Sequence, residues 1–413
     1  MTLLLERLKN FFTRYKSFED WVFSTRFLEF LFLAVALGLS GLVRYLGIRF
    51  ESGDYLAYLS DWYDYITAHN YWLALRDNFS NYNPPYLYLL IIASSFGGDR
   101  LISIKLISII FDYILAVLVY FVVKNLIKNK PLKSENQNQL IPAKSIPILA
   151  FFSILFSPNI ILNSAVWSQS DVIYTVFLVA SFWFLLKDKF IWTIVFFTAA
   201  VSFKLQAIFL IPILAVLFVK RKITLLHFLV APVVYLIMML PAAIAGKSWG
   251  DIFKVYTEQG NAYQDLTKNA PSLWALFGGA DYEIFSNFGF GLAGIFVLGL
   301  VYLFWKKDIQ DKAKYWLNLG LISAVAIPWF LPKMHDRYFF VADVLSIIYA
   351  FYFPKKFWLA IVINLTSFLV YTNYLFGSET VSLPILSLVI FGVIVYLLYS
   401  NLNKIYKEKA TTV

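Results

Sequence analysis

Cysteine is absent from the 413 residues. That excludes disulfide staples, thiolate metal sites and a thiol nucleophile. Charge is scarce too: 15% of residues are charged, against about 25% in an ordinary soluble domain. There are three histidines, and neither His69 nor His227 has a companion at metal-ligand spacing. No apolar run with a small-residue cleavage site follows the first basic residues, so the start does not read as a signal peptide. What fills the chain instead is apolar surface, with 60% hydrophobic residues, 19% aromatic residues and a mean hydropathy of +0.69. Such a chain is an all-α polytopic integral membrane protein.

The formal charge of +10 lies in short clusters between apolar runs rather than on one basic face, which speaks for topology and against nucleic acid. Spanning segments are predicted at roughly 27–48, 103–124, 146–163, 171–187, 190–204, 206–219, 224–245, 288–305, 316–331, 339–353, 357–375 and 384–400, twelve in all. With the N-terminus inside, the inner segments collect about 24 of the 35 Lys and Arg, including Lys220-Arg221-Lys222 and Lys355-Lys356, in keeping with the positive-inside bias. The stretch 86–97 is too short to cross and is predicted to dip into the outer leaflet. The chain thus reads as a single integral membrane domain over 1–413. Residues 1–26 form a cytoplasmic amphipathic N-terminus, and 129–145 a polar cytoplasmic linker. Two long outer loops, 49–102 and 246–287, are rich in Tyr and Trp and are predicted to carry interfacial helices.

The ionisable residues at the outer ends are the functional candidates, because charge at membrane depth is costly unless it faces a partner or a watery cavity. Asp54 stands just beyond the first apolar run. Lys204, with Gln206 beside it, either holds an anionic lipid group or snorkels to the interface. His335, Asp336 and Arg337 follow one another, and either bind phosphate or serve as interfacial charges. Trp167, Gln169 and Asp171 stand at a loop-to-helix boundary, where Ser170 or Asp171 could equally cap the next helix. Asp112 and Asp343 fall inside apolar segments and take no role. No glycine-rich phosphate loop or paired-aspartate metal motif stands on the inner side, which argues against a nucleotide-sugar site there.

Taken in order, GDYLAYLSDWYDYI, NYNPPYLYLL, DRLISIKLISIIFDYI, NSAVWSQSDVIYT, SFKLQAIFLIP and KMHDRYFF resemble the landmarks of GT-C glycosyltransferases that use polyprenyl-phosphate sugars. The nearest pattern is that of the dolichyl-phosphate-glucose glucosyltransferases and their prokaryotic relatives. The resemblance covers about residues 25–345. It implies a GT-C fold and an inverting hexosyl transfer on the extracytoplasmic face. The donor would be a polyprenyl-phosphate sugar in the bilayer, and the acceptor a glycan, glycolipid or protein. Asp54 would be the general base, with Lys204, His335 and Arg337 around the donor phosphate and Trp167, Gln169, Asp171, Asp336 and Gln206 lining the substrate site. No cofactor or metal is implied, although Asp54 and Asp171 could share an ion. The sequence departs from the pattern at WSQSD, where the family is richer in His and acidic residues, and at NYNPP, where an acidic-aromatic pair is usual. A secondary transporter or lipid-linked sugar flippase, and a membrane scaffold, are the alternatives.

Overall fold

A computed structural model describes residues 25–130, 142–261, 264–278 and 281–410. It forms two compact units, Met1–Gly47 and Ile48–Val413, where the sequence reads as one. In the first, helix α1 (Thr25–Gly47) is described, and the basic stretch of residues 1–24 lies outside the described residues. So do residues 131–141, the greater part of the predicted linker.

The second unit opens with a π-helical turn (Tyr55–Leu59), α2 (Ser60–Ala68), a 3-10 turn (Tyr71–Arg76) and α3 (Pro84–Ser95). Pro84 and Pro85 start α3, where a missing N–H breaks no helical bond. Asp99 caps α4 (Arg100–Lys128), its side chain accepting from the Ile102 N–H at 3.0 Å. Then come α5 (Ile146–Leu155), a turn at Pro158–Ile161, α6 (Asp171–Leu186), α7 (Phe190–Phe203) and α8 (Ile211–Val219). The chain continues through α9 (Val230–Ile244), α10 (Trp249–Asn261), α11 (Tyr282–Lys306) and α12 (Lys312–Phe330). It closes with α13 (Phe340–Tyr352), α14 (Trp358–Phe376) and α15 (Leu383–Ala410). Among the described residues the sheet is confined to β1 (Thr267–Lys268) and β2 (Met334–His335), paired in parallel.

The core is built on α12, whose residues from Tyr315 to Trp329 are all buried. A Cβ on Gly320 would meet Phe182 of α6, Leu345 of α13 and Ile213 of α8 at 3.6 to 3.9 Å. Three elements therefore wrap this helix. At Gly289 of α11 the packing is tighter, since a Cβ there would overlap the Trp274 ring and stand 3.1 Å from Pro332 Cδ. Gly289→Ala is expected to destabilise the fold by about 1–3 kcal/mol through overpacking, checked by thermal unfolding in detergent.

The protein is an all-α, multi-pass membrane protein. Six described helical segments are long and apolar enough to cross a bilayer: Glu29–Gly47, Arg100–Lys128, Leu225–Ile244, Tyr282–Lys306, Pro354–Phe376 and Leu383–Leu402. A pair bent by 42°, Ile146–Leu155 with Pro158–Val166, makes seven if it counts as one span. The twelve predicted crossings are not reproduced at this length. Helices α6, α7, α8 and α13 have 16, 14, 9 and 13 residues, short of the roughly 20 that a lipid-exposed span requires.

Candidate functional site

At one end of this unit the chain breaks its helices repeatedly, and the breaks put polar side chains in contact. Ser52 fixes the first segment: its Oγ donates to the Trp167 carbonyl at 2.6 Å and accepts from the Tyr55 N–H at 3.2 Å. The opposing loop, residues 167–170, is pinned by its own backbone. The Trp167 N–H donates to Leu162 O and the Gln169 N–H to Asn163 O, both at 2.8 Å, while Ser108 Oγ donates to Gln169 O at 2.6 Å. Ser168 adopts a left-handed φ of 69°, an uncommon conformation for a non-glycine residue. The side chains on either side of it reach the same carboxylate. Trp167 Nε1 and Gln169 Nε2 donate to Asp54 Oδ2 at 2.8 and 2.5 Å, and the Tyr374 hydroxyl donates to Asp54 Oδ1 at 3.2 Å.

Beneath Asp54 lies a second, wholly buried carboxylate. Asp171 Oδ1 is 2.7 Å from Lys204 Nζ, and its Oδ2 accepts from Asn163 Nδ2 at 2.9 Å. Lys204 reaches it because the chain is extended there, between α7 and the 3-10 helix Leu205–Leu210 (φ −146°, ψ 136°). Lys204 is therefore buried and paired rather than snorkelling, and its Nζ lies 5.1 Å from the Tyr82 ring centre. Ser170 occupies the N-cap position of α6 but makes no capping bond, so the helix-cap alternative for Ser170 does not hold.

Arg337 sits between the two carboxylates. Its Nη1 is 3.6 Å from Asp54 Oδ2 and 3.7 Å from Asp336 Oδ1, and its Nε is 3.6 Å from Asp171 Oδ2. None of these is a hydrogen bond, and the buried Nε has no hydrogen-bond partner. The guanidinium is thus held by charge while its donors stay available. Asp336 is buried beside it and accepts from the Arg337 N–H at 2.9 Å. Burial lifts the Asp336 carboxyl to about 7 despite the neighbouring guanidinium. Burial and then Arg337 push His335 down to about 3, so its imidazole is neutral at physiological pH.

These groups border a cavity of about 470 Å³. Of the sequence-predicted site residues, Asp54, Gln169, Lys204, Gln206, His335, Asp336 and Arg337 line it, while Trp167 and Asp171 support it from behind. Gln206 Oε1 is buried there without a partner. Lys333, from the same motif, turns away and donates to Gly260 O at 2.7 Å. Sequence reasoning missed Tyr374, which stacks on Trp167 with ring centres 4.6 Å apart, and Asn163. Tyr374 lies near the end of an apolar run where nothing local marks it, and Asn163, although it opens the landmark NSAVWSQSDVIYT, takes no role there. Arg337 also occupies the space that a cation shared by Asp54 and Asp171 would need. Among the described residues no group of three or more His, Cys, Asp or Glu is placed to hold a metal.

No curated protein matches the chain. The model of one family does, over residues 71–305, and its description overturns the glycosyltransferase assignment. With it go the hexosyltransferase activity, the polyprenyl-phosphate sugar donor and its glycan acceptor, and the transporter or flippase alternative. The resemblance misled because each of its landmarks is a charged or aromatic cluster at a helix end. Four of the six lie inside the matched segment, and GDYLAYLSDWYDYI and KMHDRYFF lie outside it. Both oxygens of Asp54 accept hydrogen bonds and one faces Arg337. Matched over more than half of its length, the chain belongs to the family of the GPI transamidase subunit PIG-U.

Proposed function

We propose that the chain is a substrate-holding membrane subunit of a transamidase-type assembly, and that its cavity takes the phosphate-bearing head group of a glycolipid anchor. The observation that carries this reading is Arg337: a buried guanidinium, positioned by Asp54 and Asp171, that forms ion pairs at 3.6 to 3.7 Å and no side-chain hydrogen bond to a described residue. Planar guanidinium donors match phosphate oxygens two at a time. Lys204, paired with Asp171, and Lys268, paired with Asp265 at 3.0 Å, also line the cavity, and Tyr58, Trp62 and Tyr82 supply faces for a sugar. Transamidation also needs a nucleophile to carry the acyl group. No described lining residue is a serine, threonine or cysteine, and the chain has no cysteine at all. In this reading the nucleophile belongs to a partner subunit, and this chain binds and orients.

In the same reading α12 and the short α6, α7, α8 and α13, shielded by protein, complete the twelve crossings. The helices of 49–102 and 246–287 lie at the outer interface. The cavity then faces away from the basic end marked by Lys220, whose Nζ donates to Lys307 O at 2.7 Å. Native mass spectrometry of the purified chain with a glycosylphosphatidylinositol-type glycolipid tests the reading. One lipid should bind, and removal of its phosphates should abolish binding. Equal binding of the dephosphorylated lipid, or transamidation that proceeds at full rate without this chain, would overturn it.

A pH dependence follows. The Asp336 carboxyl is raised to about 7, so it is neutral below that pH and anionic above it. His335 stays neutral throughout. Binding of a phosphodiester should therefore weaken about threefold to tenfold as pH rises from 6 to 8. Isothermal titration at both pH values checks this, and Asp336→Asn should flatten the profile.

A further inference from the structure

A second cavity, of about 770 Å³, lies between α5, α13 and α14, bordered by Leu149, Phe156, Ile347, Phe351, Phe357 and Ile361. None of its described lining residues is charged, and three are polar: Ser153, Ser157 and Asn364. Ser153 spends its hydroxyl on Leu149 O at 2.8 Å. The other two are incomplete. Ser157 is 5% exposed and stands at the N-cap of the Pro158–Ile161 turn without capping it, and its Oγ has no partner. Asn364 donates through Nδ2 to Ser346 Oγ at 3.0 Å and to Ala360 O at 2.9 Å, which fixes the amide orientation and leaves Oδ1 buried and unpartnered. Two residues beyond Ser157, Asn159 likewise has an unpartnered Oδ1, while its Nδ2 donates to Asp343 Oδ2 at 3.0 Å. The apolar groove is thus bordered by one carbonyl oxygen that can only accept, Asn364 Oδ1, and by the unpartnered Ser157 hydroxyl, while Asn159 is not among its lining residues; such groups are costly to leave unpaired. Bulk acyl chains bring no donor.

We infer that this groove is a binding site for a neutral lipid carrying a hydroxyl group on a bulky hydrocarbon, the O–H donating to Asn364 Oδ1 beside Ser157 Oγ. A charged phospholipid head finds no counter-ion among the lining residues. The stretch 131–141, PLKSENQNQLI, which precedes α5 in the sequence, is too polar to match the groove. This site is separate from the polar cavity: α13 carries Arg337 just before its start and Phe351 near its end, about 20 Å apart by helical rise.

The test labels the purified full chain in nanodiscs with a photoreactive isoprenoid alcohol. Competitors are the unlabelled alcohol, its methyl ether, a sterol and a diacylglycerol, which together separate the need for a donor from the source of the hydrocarbon. Labelling should map to α5, α13 or α14, with the ether competing about tenfold less well than the best alcohol, equivalent to about 1.4 kcal/mol. Ser157→Ala and Asn364→Leu should each reduce that preference for alcohol over ether. Equal competition by alcohol and ether, or variants that keep the preference, would overturn the inference and leave the groove as a surface filled by bulk chains. If a variant fails to fold, the ether comparison on the wild-type chain decides by itself.

Discussion

Arg337→Ala is expected to weaken binding of a phosphate-bearing lipid by about 10- to 100-fold, the range set by charge-assisted hydrogen bonds of 1.5–3 kcal/mol. The same change removes the cation between Asp54 and Asp171. Loss of one partner from a buried charge group costs about 3–5 kcal/mol, and the lower end applies here because Lys204 still neutralises Asp171 at 2.7 Å. Arg337→Lys separates the two effects. It keeps the charge and should recover most of the stability, but it lacks the planar fork and should recover little of the affinity. Lipid binding by native mass spectrometry and unfolding in detergent read the two quantities independently. Unchanged phosphate binding in the alanine variant would remove Arg337 from the site's chemistry.

The second large effect concerns the buried pair. Asp171→Asn leaves the Lys204 ammonium and the Arg337 guanidinium facing each other in a site where Asp171 and Lys204 are almost fully enclosed. A loss of about 3–5 kcal/mol is expected. Lys204→Met should cost somewhat less, because Asp171 retains Asn163 at 2.9 Å and Arg337 at 3.6 Å. In the double variant the two buried charges leave together, so its stability should lie well above the sum of the single losses. A double-mutant cycle on the unfolding midpoints gives the coupling. Strict additivity would mean that the pair is not coupled and that the ammonium finds water in the folded state.

Much of this arrangement is legible from the chain alone, for one physical reason. Asp54, Asp171, Lys204 and Arg337 are charges set in or beside apolar runs, and charge in that setting requires a partner. The sequence says that partners exist without saying which. Nothing in YTNYLFG marks Tyr374 as a neighbour of Asp54, 320 residues away, because a tyrosine near the end of an apolar run is ordinary there. The same limit explains the mistaken family: positive charge and aromatic rings at helix ends recur wherever a membrane protein meets the interface, and they do not say which bond is made or broken. The number of crossings meets a different limit. A hydropathy window registers residues but not their neighbours, so α12, which opens on Lys312 and Lys314, and the short α6, α7, α8 and α13 look alike whether lipid or protein covers them.

The order in which the polar cavity's walls leave the ribosome bears on how the chain is made. Asp54 is synthesised 320 residues before Tyr374, an interval of about 15 to 65 s at 5–20 residues per second. Asp171 and Lys204, only 33 residues apart, pair early and can enter the bilayer as a neutral unit. Asp54 must wait in an aqueous or chaperoned setting until Arg337 and Tyr374 arrive. Truncation before residue 337 should therefore yield a chain that inserts but stays exposed to quality control, which makes the last fifth of the protein the checkpoint of its own assembly.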